Sequence, residues 1–123
     1  MNDRKNIIWA DDEIELLKAH ILYLEKKDYS VISASSGEDG IKIFNDNNFD
    51  IILLDEMMTG MDGLETLKHI KNIYPDIPII MITKNEEEWL MEEAIGVKIE
   101  DFLTKHVNPS QILMACKNSF EEQ

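Results

Sequence analysis

Ile51-Ile52-Leu53-Leu54-Asp55 sets four consecutive large apolar residues against a terminal carboxylate. A run that short, apolar on both faces and rich in branched side chains, is expected as a central parallel strand covered by helices on both sides. Asp55 then stands at its carboxyl end. In open α/β sheets that end is where ligands and chemistry collect.

Upstream, Ile7 to Ala10 reads as a buried strand ending on Asp11-Asp12-Glu13. From Ile14 to Lys27 apolar residues recur at Ile14, Leu17, Ile21 and Leu24, the helical period. Ser30 to Ala34 reads as a weaker strand, nearer the sheet edge. Ser36-Gly37-Glu38-Asp39 opens a helix with capping-box spacing and a buried stripe at Ile41 and Phe44. Downstream, Asp62 and Glu65 cap a helix carrying Leu64, Leu67 and Ile70. Ile79 to Ile82 makes a fourth strand ending at Thr83, Asn85 to Ile95 a helix, and Phe102 to Thr104 a last strand ending on Lys105. Asn108-Pro109-Ser110-Gln111 starts the final helix, with proline at its first position. The alternation predicts one α/β domain over residues 1–123, a doubly wound (βα)5 fold. Its five-stranded parallel sheet takes the order 2-1-3-4-5, with helices on both faces. Strands one and three are then neighbours, and Asp11, Asp12 and Asp55 converge.

At 123 residues and 44% hydrophobic content, the chain suits one well-buried core. Its 25 acidic residues against 12 basic give a formal charge of -13, which repels phosphate backbones and anionic lipid. Direct nucleic-acid or membrane binding is not expected. The single cysteine, Cys116, reads as a core residue of a reducing compartment, and Ile7 to Ala10 is too brief for a signal-peptide core or a membrane span. The expected location is cytoplasmic.

Three carboxylates in one cleft repel each other unless something positive lies between them. All-oxygen ligation of this kind suits Mg²⁺, which keeps several waters and leaves room for phosphate oxygens. Two other strand ends supply the Thr83 hydroxyl and the Lys105 ammonium. These are the parts needed for Asp55 to accept a phosphoryl group in line while the charge on its oxygens is neutralised.

From about Asn6 to Phe120 the chain resembles the receiver domains of two-component response regulators. The resemblance is carried by Trp9-Ala10-Asp11-Asp12-Glu13, by Leu53 to Gly63 (Leu-Leu-Asp-Glu-Met-Met-Thr-Gly-Met-Asp-Gly), by Ile82-Thr83, and by Phe102-Leu103-Thr104-Lys105. It implies a flavodoxin-like, CheY-like fold and phosphorylation of Asp55 by a sensor histidine kinase. It also implies Mg²⁺ held by Asp11, Asp12, Asp55 and the backbone carbonyl of Met57. Thr83 matches the switch hydroxyl, Phe102 the aromatic switch residue, Lys105 the phosphate-pairing lysine and Gly63 the glycine closing the acceptor loop. The output implied is a changed surface around the last two helices, with a homodimer on phosphorylation. Such a domain is no enzyme beyond assisting its own phosphorylation and dephosphorylation.

The chain departs from the family pattern in several places. Thr59 and His106 stand where prolines are usual, and Lys84 stands where a small residue follows the switch threonine. About two extra residues fall between Gly96 and Lys105. Because a non-proline cis bond costs about 3–4 kcal/mol, Lys105-His106 is expected to be trans. These departures keep a phosphorylation-independent interaction module, a pseudo-receiver, as the rival reading. An aspartyl-nucleophile phosphatase of the haloacid-dehalogenase type fits less well, since it carries a second Asp where this chain has Met57. The Asn-Pro-Ser-Gln turn also resembles regulators of type IX secretion with an alkaline-phosphatase-like effector. Met81 and Met114 are expected in the core, Met57, Met58 and Met61 on the acceptor loop, and Trp89 half-buried. His20, His69 and His106 read as surface or packing residues.

Overall fold

The computed structural model describes residues 5–46, 48–55, 63–83, 101–104 and 107–121, without the side chains of 46, 64, 101, 102 and 121. Five strands, β1 (Lys5–Ala10), β2 (Tyr29–Ala34), β3 (Ile51–Asp55), β4 (Ile79–Thr83) and β5 (Asp101–Thr104), form one sheet in the order β2-β1-β3-β4-β5. Every pairing is parallel. The α-helices among the described residues are α1 (Lys18–Lys26), α2 (Gly37–Asp46), α3 (Gly63–Ile73) and α4 (Pro109–Glu121). The architecture is therefore the doubly wound one expected. The helix expected over Asn85 to Ile95, with Trp89 on it, lies outside the described residues, as does Asp62.

All five residues of β3 are buried, because apolar clusters cover both faces of the sheet. On one face Ile8, Ile52, Leu54 and Met81 pack with Phe44, Leu67 and Ile70 from α2 and α3. On the other, Ile7, Trp9, Leu53 and Ile80 pack with Leu24 from α1 and Ile112, Ala115 and Cys116 from α4. Burial pushes the Cys116 thiol up to about 12. A buried Leu, Ile or Phe contributes about 1.5–3 kcal/mol, so this two-faced burial is what holds the carboxyl ends of the strands in place.

Local chemistry sets the helix boundaries. Ser36 Oγ accepts the Asp39 amide at 3.0 Å, capping α2. At α4 the box is reciprocal: Asn108 Oδ1 accepts the Gln111 amide and Gln111 Oε1 accepts the Asn108 amide, both at 3.1 Å. Gly40, inside α2, faces Ala10 and Ala34 on the sheet, where an added Cβ would lie 3.5 Å from the Ala10 Cβ.

Two expectations need correction. Ile14 to Lys27 is not one α-helix: Ile14–Leu17 is a 3₁₀ turn and α1 starts at Lys18. The Ile14 and Leu16 amides donate to the carbonyls three residues back, of Asp11 and Glu13, which tightens the turn. Met114 is not in the core but 58% exposed. Ile112, Ala115, Cys116 and Ser119 fill the buried stripe of α4, and a residue two positions after Ile112 points to the opposite side.

Candidate functional site

Adjacent strands deliver the acids. β1 and β3 pair in register from Ile7↔Ile51 to Ala10↔Leu54, so Asp11 follows β1 beside the point where β3 ends on Asp55. Asp11 is fixed locally: its amide donates to the Ala34 carbonyl at 3.0 Å, and its Oδ1 accepts the Glu13 amide at 2.8 Å. Asp11 and Asp55 are buried, at 4% and 0% exposure, while Asp12 is exposed. One carboxylate oxygen from each of Asp11, Asp12 and Asp55 lies within 4.8 Å of the other two. This set of hard oxygen donors fits a divalent cation that takes some ligands from the protein and keeps others as water. Opposite charge between the acids also removes the repulsion that burying two of them creates.

Thr83 closes β4, fully buried, one residue beyond the Ile82 that pairs with Asp55. The same end of the sheet therefore carries the carboxylates and the hydroxyl. Thr104 pairs with Thr83 at the end of β5, and Lys105 comes next in sequence. Lys105, Met57, Thr59, Lys84 and His106 lie outside the described residues, as does the Lys105-His106 bond, and Phe102 is described in its backbone only.

On the α1 side of the acids is a cavity of about 220 Å³, lined by Trp9, Asp11, Leu17, His20, Ile82 and Val107 among others. His20 reaches across it, its Nε2 2.9 Å from the Val107 carbonyl. That contact was missing from the sequence reading, which set His20 among surface and packing residues. The available signal was its spacing, three after Leu17 and four before Leu24, on the apolar face of the helix.

Residues 7–117 match the family model of the response regulator receiver domain. The chain belongs to that family. Receiver domains of response regulators are phosphorylated by sensor histidine kinases, and they typically bind Mg²⁺ at an acidic site. The receiver is 32% identical over 111 residues to the transcriptional regulatory protein ResD of Bacillus subtilis, covering 90% of this chain and 46% of that protein. It thus spans about half the length of that relative. In structure it is similar to a CheY-like receiver domain from Methanospirillum hungatei (TM-score 0.89, 24% identity, 98% of this chain and 96% of the other). It is also similar to the response regulator TrrA of Thermotoga maritima in complex with Mg²⁺-BeF (TM-score 0.82, 25% identity, 94% and 98%).

Two narrower expectations gain nothing from these likenesses. None supports a type IX secretion regulator with an alkaline-phosphatase-like effector. The expected absence of nucleic-acid binding is also unsupported, since relatives such as ResD are named as transcriptional regulators. Among the described residues no helix is long and apolar enough to cross a membrane.

Proposed function

We propose that this receiver is a phosphorylation-dependent switch in which Asp55 accepts a phosphoryl group from a phosphohistidine on a sensor histidine kinase. The observation that carries it is the meeting of Asp11, Asp12 and Asp55 within 4.8 Å at the ends of adjacent strands. A carboxylate oxygen of Asp55 bonds to phosphorus as the bond from phosphorus to the kinase imidazole nitrogen breaks, and the imidazole leaves. Asp11, Asp12, Asp55 and the Met57 carbonyl would hold Mg²⁺, which when bound neutralises negative charge on the phosphoryl oxygens. The TrrA complex, with Mg²⁺ and a phosphoryl-like fluoride together, supports that pairing of metal and group.

Thr83 and Lys105 are assigned to the remaining charge on the phosphoryl oxygens, and Thr83 with Phe102 to the switch. The domain acts on itself alone, in a cytoplasmic two-component pathway, with a homodimer as one output of phosphorylation. The pseudo-receiver reading is less economical, for it gives no reason to bury two carboxylates beside a third. Incubation with acetyl phosphate and Mg²⁺ followed by intact-mass measurement tests the proposal. The wild type gains one phosphoryl group and Asp55→Asn gains none; equal gain in both, or none in the wild type, refutes it.

A further inference from the structure

The cavity of about 220 Å³ beside the acids has two kinds of wall. Trp9, Leu17, Ile82 and Val107 make it apolar, while Asp11 and Glu13 bring carboxylates to it. It is a preformed hollow, for Trp9 and Ile82 are buried strand residues and the 2.9 Å bond from His20 Nε2 to the Val107 carbonyl ties α1 to the residues before α4. A carbonyl oxygen only accepts, so Nε2 carries the proton and Nδ1 is left as an acceptor, buried with no partner among the described residues. Leu16 also lines the cavity and is 75% exposed, so an occupant would cover apolar surface that now meets water.

Size and charge select the occupant. An apolar protein cavity of about 150 Å³ is enough for benzene, so this one takes an aromatic ring with a short polar substituent. No Lys or Arg stands among the described lining residues, and the chain's net charge of -13 repels anions. We propose that the cavity binds a small aromatic cation, an aryl amidinium or arylalkyl ammonium, with its ring among Trp9, Leu17, Ile82 and Val107 and its charge at Asp11 and Glu13. An amidinium carries N–H donors for the carboxylates and for His20 Nδ1. Asp11 also belongs to the acid cluster, so a cation in the cavity and one among the acids repel each other. Each weakens the other's binding by the same factor. That coupling, unlike the cavity's own affinity, rests on the proposed function above.

The test titrates the full chain with benzamidine hydrochloride in chelator at neutral pH and constant ionic strength. The Trp9 indole N–H is followed by heteronuclear NMR, with Trp89→Phe assigning its resonance. Saturable binding with a dissociation constant of about 1 mM or below is expected. The neutral isostere benzamide binds about tenfold more weakly. Glu13→Gln, which removes an exposed charge, weakens benzamidine about two- to threefold and leaves benzamide unchanged. Val107→Phe puts bulk into the cavity and weakens both compounds about fivefold or more, and Leu17→Phe replaces it if that variant does not fold. Three results each overturn the proposal: no saturation below about 10 mM, benzamide bound as tightly as benzamidine, or undiminished binding in the folded cavity-filling variant. Saturating Mg²⁺ raises the benzamidine dissociation constant about threefold, and calorimetry finds Mg²⁺ affinity lowered by the same factor. An unchanged constant in a protein that binds Mg²⁺ overturns the coupling. A wild type that takes up no Mg²⁺ overturns the reading of the acid cluster, and benzamidine binding in chelator then still supports the cavity site.

Discussion

The acid cluster makes a stability prediction that is independent of phosphorylation. Two unit charges 4.8 Å apart repel by roughly 3.5 kcal/mol at an effective dielectric of about 20, which suits a partly buried site. Asp12 is exposed, so solvent screening reduces its part, and the buried pair Asp11 and Asp55 retains most of theirs. Against a whole-domain stability of about 5–15 kcal/mol, repulsion on that scale is large. Removing the Asp55 charge with the isosteric Asp55→Asn is therefore expected to stabilise the metal-free protein at pH 7 by about 1–2 kcal/mol.

Mg²⁺ stabilises both proteins but by different amounts. At a hundred times its dissociation constant a ligand specific for the native state adds about 2.7 kcal/mol. For a chain of this size that raises the melting temperature by about 10 °C. The assay is thermal melting followed by circular dichroism, in chelator and in Mg²⁺, with sodium chloride matching the ionic strength. Wild type gains the full shift, while Asp55→Asn and Asp12→Asn each gain less than about half of it. An equal shift in all three proteins would mean that the cation binds elsewhere on a chain of net charge -13. A chelated Asp55→Asn less stable than wild type would mean that the carboxylate is already compensated by its own surroundings.

Three further outcomes follow from the core and the caps. Gly40→Ala should stabilise by about 0.5–1 kcal/mol in urea denaturation, because the helix interior gains a better helix former and the new Cβ meets Ala10 at an ordinary 3.5 Å. Asn108→Ala should cost about 1 kcal/mol in the same measurement through loss of the reciprocal cap on α4. With the Cys116 thiol raised from 9.0 to about 12 in the folded state, its contribution to stability is complete below pH 9 and is lost as pH rises from there through 12. The loss has a slope of up to about 1.4 kcal/mol per pH unit, and Cys116→Ala should flatten that alkaline slope in urea titrations.

The strands were legible because a central parallel strand is buried on both faces and has no polar side to disguise it: Ile51 to Leu54 and Ile79 to Ile82 could hardly be anything else. Their ends were legible for the same reason, since the first polar residue after such a run marks the sheet edge where Asp55 and Thr83 stand. The caps were visible as spacing, Ser36 with Asp39 and Asn108 with Gln111. What failed involved contacts at long range or angles that hydropathy does not encode. The apolar stripe runs unbroken through Ile14 and Leu17, yet the chain leaving Asp11 bonds as a 3₁₀ turn before α1 begins. Met114 is apolar but sits away from the stripe, and Met is flexible enough to be tolerated there. His20 owes its place to a carbonyl 87 residues away, and nothing adjacent to it in sequence announces that partner.

Putting the acceptor at the end of a strand buried on both faces has a mechanical consequence. Asp55 is the last residue of the β3–β4 ladder, paired with Ile82, so moving its backbone would break sheet hydrogen bonds and unpack Leu53 and Leu54 from opposite clusters. Asp11 is held as firmly, through the Ala34 carbonyl on the next strand and the Glu13 amide. The exposed Asp12 is the acid with room to adjust as a cation or phosphoryl group arrives. Thr83 shares the rigid ladder through its pairing with Thr104, so its contribution to a switch must come from side-chain rotation rather than strand movement. A site built in this way keeps its electrostatic strain focused where a cation relieves it. On the α1 side of the acids, the 2.9 Å bond from His20 Nε2 to the Val107 carbonyl ties α1 to the residues that lead into α4.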